Sequence, residues 1–143
     1  LKDLGIRCTV RVLSAHRTPA DTIAFAEELE QSRTQVVIAG AGGAAHLAGV
    51  VAAATTRPVI GVPLPSLRPD GLDALLSTVQ MPPGIPVATV GVGAAKNAAL
   101  LAAEILALAD ADLADRLRTF RAQQTDKVRA KDAAMQERFA GDV

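Results

Sequence analysis

Tryptophan and tyrosine are absent from this 143-residue chain, and phenylalanine occurs only three times. Few aromatic platforms are therefore available for stacking nucleic-acid bases. Neither sign of charge dominates: Lys and Arg total 15, as do Asp and Glu. Nothing in that balance attracts a phosphate backbone or an anionic bilayer, so neither nucleic acid nor membrane is expected as a partner. The single cysteine, Cys8, excludes an intrachain disulfide. Its Val-rich surroundings suit a buried small apolar side chain, and its solitude suits a reducing cytoplasm. The most apolar stretch, Ala94 to Ala109, is broken by Lys96, Asn97 and Glu104, and no segment resembles a signal peptide or a membrane span. The two histidines have no Cys, Asp or Glu at ligand spacing, which makes a poor metal site. There is no Gly-x-Ser-x-Gly, and neither Ser66 nor Ser77 has an adjacent histidine to activate it.

What the chain does have is apolar mass: half its residues, mostly Ala, Val, Leu and Ile, enough for one domain with a core. Strand and helix patterns alternate. Arg7 to Leu13 is β-branched and partly alternating, and reads as a strand. Thr18 offers an N-cap hydroxyl with Pro19 at the first helical position, and an apolar stripe runs to about Gln31. Gln35 to Ala39 reads as a strand covered on both faces. A glycine cluster follows, then a small-residue helix from about Ala44 to Ala54. Pro58 to Val62 is the third strand, ending in a Pro63-Leu64-Pro65 loop; Leu72 to Val79 is helical; Pro86 to Val92 is the fourth strand; Ala94 to Ala109 is a helix apolar almost all round. Four strand–helix units in succession predict a three-layer αβα fold with a parallel, flavodoxin-like or Rossmann-like sheet. This α/β domain is expected to span residues 1–110. The charged tail, 111–143, carries Leu113, Leu117, Phe120, Val128, Met135 and Phe139 at near-helical spacing. A helix packed on its own domain and an arm packed on a neighbouring subunit both fit. The opening Leu1 to Ile6 reads as the end of a helix, so a preceding segment is expected.

Both histidines fall where a strand is expected to give way to a helix, the edge at which open α/β sheets bind ligands. His16 lies within Ser14-Ala15-His16-Arg17-Thr18-Pro19. An imidazole gives and takes protons around neutral pH, which suits general acid–base work; a structural histidine bonded to backbone fits the position too. Arg17 offers a planar fork of donors for phosphate or carboxylate, and Ser14 a hydroxyl for the same anion. The segment Gly40-Ala41-Gly42-Gly43 meets neither the dinucleotide nor the P-loop fingerprint. It is either a cradle for a polar ligand before a helix or a site of close strand–helix packing. His46 falls in the first turn of that helix.

Taken together, Ser14 to Pro19, the block from Ala39 to Gly49, Pro58 to Pro63, Gly71-Leu72-Asp73, Ser77 to Pro82 and Asn97 to Ala102 occur in an order that resembles the PurE family. The likeness runs from about Ile6 to Ala109. The glycine block is similar to that of the bacterial, class I N5-carboxyaminoimidazole ribonucleotide mutases rather than the animal-type carboxylases. The resemblance implies a mutase of de novo purine biosynthesis. The substrate carbamate would lose CO2, which is recaptured at ring carbon C4, with no metal, ATP or organic cofactor. By the same resemblance His16 matches the proton-transferring histidine, Ser14 and Arg17 match phosphate-holding positions, and Gly42, Gly43 and His46 match the loop over the reacting ring and CO2. A cytoplasmic homo-octamer is implied, with a ribonucleotide and CO2 as its small-molecule partners. Ala48 stands where the family usually has proline. The family's first strand and Gly-Ser-x-Ser-Asp turn have no counterpart here. An inactive oligomeric binding protein of the same fold, or an enzyme carboxylating aminoimidazole ribonucleotide directly, are the alternatives.

Overall fold

Period-two alternation in two apolar runs builds the centre of the molecule, which a computed structural model describes for residues 1–66 and 70–140. Strand β1 (Val37–Gly42) pairs in parallel with β2 (Val59–Leu64), Val37 opposite Val59, and β2 pairs in parallel with the short β3 (Ala88–Thr89). The sheet order is β1-β2-β3. Odd-numbered side chains of the first two strands, Val37, Ala39 and Val59, are buried against Ala48 and Val51 of α2 (Leu47–Ala53) and against Ala26 and Leu29 of α1 (Pro19–Gln31). Even-numbered ones, Ile38, Ile60 and Val62, meet Ala98 and Ala102 of α4 (Ala95–Ala107) on the opposite face. Helix α3 (Leu72–Val79) lies on the α2 side: the Cγ2 of Thr78 sits so close to Gly61 that a Cβ there would fall 2.3 Å from it. Because both faces are covered, the strands read as continuous apolar runs. The result is the flavodoxin-like αβα arrangement expected from the alternating pattern.

The strand count differs: three strands, not four, are present among the described residues. Arg7 to Leu13 forms no ladder, and Val10 and Val12 are 81% and 97% exposed. β-branched side chains favour an extended backbone, but a strand exists only where another strand takes its N–H and C=O groups, and none lies alongside. The Arg11 guanidinium rests over the Phe25 ring of α1, 5.6 Å from its centroid. Cys8, expected to be buried, is exposed for the same reason. Boundaries also move. β1 runs on through Gly42, β2 takes in Pro63 and Leu64, β3 keeps only two residues of Pro86 to Val92, and α2 begins at Leu47.

The tail forms one helix, α5 (Ala111–Phe139); residues 141–143 of the predicted extension lie outside the described residues. Asp110 caps it, its carboxylate accepting the Leu113 N–H at 2.9 Å. Leu113 and Leu117 are buried with Ala103 of α4 and with Leu4, which sits in a 3-10 turn at residues 2–4. Arg116 Nε donates to the Leu4 carbonyl at 3.0 Å, tying the start of the chain to α5. Beyond Phe120 every described residue of α5 is exposed. The helix is about 43 Å long at 1.5 Å per residue, so its distal half stands clear of the domain.

Candidate active site

The turn before α1 is closed by its own hydroxyls. Ser14 N–H donates to Thr18 Oγ1 at 3.0 Å, and that hydroxyl donates to the Ser14 carbonyl at 3.2 Å. Thr18 occupies the N-cap position with Pro19 next, as its place in the sequence predicts, but its hydroxyl does not cap the helix. It faces backwards and fastens the loop that carries His16. Ser14 Oγ in turn accepts from Arg17 N–H at 3.1 Å and lies 3.5 Å from Arg17 Nε. The guanidinium is thereby drawn towards Ser14. Its two terminal nitrogens have no hydrogen-bond partner among the described residues and remain available to an anion.

The second half comes from the end of β1. Gly42 and Gly43 do different things there. A Cβ on Gly42 would lie 2.7 Å from Ser66 Oγ and 2.8 Å from the Leu64 carbonyl, so glycine lets β1 end hard against the exit of β2. Gly43 has φ +64°, a left-handed backbone that turns the chain out of the sheet. The close neighbour at Gly42 is the exit of β2 rather than a helix, which corrects the strand–helix packing reading at this position. Gly40 to Gly42 belong to β1 itself rather than to a loop before the helix. His46 follows as the residue before α2, one position outside the helix in which it was expected.

These two segments meet. His16 Nε2 lies 2.9 Å from His46 Nδ1, and the rings stand edge to face with centroids 4.9 Å apart and planes at 75°. Both residues are exposed. The loop after β3 meets the end of β2 at the same edge of the sheet, Gly93 N–H donating to the Pro63 carbonyl at 2.8 Å. Ser14, His16, Arg17, Gly42, Gly43 and His46 thus all lie on the two segments joined by the histidine contact. His16 arrives from a turn, not from the end of a paired strand as expected. Two hydroxyl residues have roles here that the sequence pattern does not assign them: Thr18, an expected N-cap, closes the turn, and Ser66 packs against Gly42. The glycine at 42 was the available signal for a close neighbour, though nothing local names Ser66. Among the described residues no three His, Cys, Asp or Glu side chains gather as metal ligands. No described helix is long and apolar enough to cross a membrane.

At the opposite edge of the sheet, Glu30 Oε1 accepts from Thr55 Oγ1 (2.8 Å), Thr56 N–H (2.7 Å) and Thr56 Oγ1 (3.0 Å). The Thr56 backbone bond foremost, then the two hydroxyls, hold the Glu30 carboxyl below its ordinary range. This cluster joins the end of α1 to the loop entering β2 and lies far from the histidines in the fold.

Comparison with known proteins matches residues 1–127 to the family described as AIR carboxylase. The chain is 55% identical over 141 residues to the N5-carboxyaminoimidazole ribonucleotide mutase of Mycobacterium leprae, covering 99% of this chain and 82% of that protein. With the enzyme of the same name from Escherichia coli it shares 56% identity over 127 residues, 87% of this chain and 75% of that protein. Among solved structures, Treponema denticola PurE superimposes with a TM-score of 0.83 at 30% identity, covering 94% of this chain and 84% of that one.

Proposed function

Because the chain belongs to the AIR carboxylase family, to which PurE proteins belong, we propose that it is an isomerase that converts N5-carboxyaminoimidazole ribonucleotide to 4-carboxy-5-aminoimidazole ribonucleotide. The carbamate N–C bond breaks, its electron pair stays on the exocyclic nitrogen, and that nitrogen takes a proton from His16. The CO2 set free is attacked by the nucleophilic ring carbon C4. His16 then removes the C4 proton, so one proton is lent and one returned. A single imidazole cycling between acid and base suffices, and no cofactor is required.

The observation that carries this reading is the joining of the Ser14–Thr18 turn to the end of β1 through the His16–His46 contact at 2.9 Å. It sets a proton-transfer group beside an arginine whose terminal nitrogens point to no described partner. In this reading Arg17 and Ser14 hold the substrate phosphate, while Gly42, Gly43 and His46 lie over the ring and confine the CO2 until C4 attacks it. The chain is assigned to class I, the form that uses the carbamate; the support is that relatives at 55% and 56% identity are named mutases.

The protein is further proposed to act in the cytoplasm as a homo-oligomer, an octamer as in the resemblance, with residues 111–143 packing on neighbouring subunits. Exposed apolar side chains support assembly: Leu72, Leu76 and Val79 share one face of α3, Leu108 is 89% exposed, and Val128, Met135 and Phe139 stand out along distal α5. The test is conversion of each of two substrates, the carbamate and aminoimidazole ribonucleotide with CO2. A mutase converts the first without added CO2; a direct carboxylase needs the second.

A further inference from the structure

His16 must donate from its doubly protonated ring and then accept at the same ring, so whatever holds it has to tolerate both states. Among the described residues its side chain makes one hydrogen bond, between Nε2 and His46 Nδ1 at 2.9 Å. A bond between two imidazole nitrogens contains one hydrogen, so one of the facing atoms carries it and the other is bare. Were His46 Nδ1 the donor, protonating His16 would place hydrogens on both facing atoms and break the contact. With His46 Nδ1 as acceptor, the same bond survives in neutral and protonated His16 and is charge-assisted in the second. Only this arrangement serves both halves of the proton cycle.

We infer that His46 is a positioning residue for His16: its Nδ1 accepts the His16 Nε2–H throughout the reaction, leaving His16 Nδ1 to exchange the proton with substrate. This rests on the mutase reading for its chemistry, although the hydrogen bond itself does not. The edge-to-face contact orients the His16 ring plane, and acceptance by His46 Nδ1 selects its tautomer. His46 comes from the residue before α2, with its N–H bonded to the Ala44 carbonyl at 2.8 Å and its own carbonyl accepting from Val50, so its backbone is anchored. Its Nε2–H stays free to face the ring or the CO2.

The tautomers are read directly from long-range 1H–15N correlation spectra of the substrate-free protein at neutral pH. The expected result is a protonated Nε2 with a bare Nδ1 in the neutral form of each ring. A bare His16 Nε2 facing a protonated His46 Nδ1 overturns the inference, whatever the protein's activity. Two variants carry the test into turnover. His46→Asn sets an amide oxygen near the position of Nδ1 and keeps an acceptor there, whereas His46→Leu keeps none. Both are expected to lower kcat more than they raise KM, and Leu by about tenfold or more beyond Asn, a difference of about 1.4 kcal/mol in the barrier. Equal loss in the two variants, or a change confined to KM, contradicts a positioning role and leaves His46 as a substrate contact. If the wild-type protein turns over no carbamate, the mutase reading fails, while the spectra still decide the pairing.

Discussion

At the scale of single residues, the molecule depends on a few contacts tight enough that one methyl group matters. Gly61 is one: a Cβ there would meet Thr78 Cγ2 at 2.3 Å and Val87 Cγ1 at 3.0 Å, so a neighbour would have to shift. Gly61→Ala is expected to cost about 1–3 kcal/mol through overpacking. Adding Thr78→Ser removes the clashing methyl and keeps the hydroxyl bonded to the Ala74 carbonyl, so the double variant should recover part of that loss. Urea unfolding of the three proteins measures both effects, and strict additivity would refute the proposed clash. The two segments that meet at the candidate site stand out in the sequence, with Ser14, His16 and Arg17 in one short motif and His46 in another. The contact between the histidines was not, because it joins residues 30 apart and depends on how a turn and a strand end are placed. Thr18 shows the same limit. Its position correctly predicted the start of a helix, but the hydroxyl found a better partner in the backbone of Ser14, which no capping rule could reveal.

At the scale of elements, local signals succeeded where the element could satisfy its own backbone. α3 and α5 have nearly the bounds that periodicity implied, because a helix bonds within itself. Arg7 to Leu13 failed because a strand's existence is decided by its neighbour. The cap on α5 gives a clean test: Asp110→Ala should destabilise by about 1 kcal/mol, seen as a lower denaturant midpoint with an unchanged slope. The Glu30 cluster gives another, with the sign set by its lowered pKa. The ionised carboxylate is favoured in the folded state, so its contribution is fully present above the ordinary carboxyl value near 4.5 and fades as pH falls through the lower folded value. The stability difference between wild type and Glu30→Gln should be largest near neutrality and shrink in acid. A difference that stays constant from pH 7 to pH 3 would contradict the role assigned to those three donors.

At the scale of the whole molecule, the layered αβα plan followed from alternating patterns, and covering of both sheet faces followed from strands apolar throughout. The destination of distal α5 could not be read that way. Its side chains are charged with sparse apolar positions, a pattern equally suited to a solvated helix and to a partner's surface. An oligomer held through these faces predicts a specific change. Val128→Asp together with Met135→Asp should lower the sedimenting mass and leave the helical circular dichroism almost unaltered; an unchanged mass would place the interface elsewhere. The central claim, that proton transfer by His16 drives carboxyl migration, is tested most directly by following the carbamate-to-C4-carboxylate conversion by wild type and His16→Asn at neutral pH. The account predicts conversion by the wild type and a loss of at least about a hundredfold in a folded variant. Comparable rates in the two proteins, or a folded wild type that leaves the carbamate untouched, would contradict it.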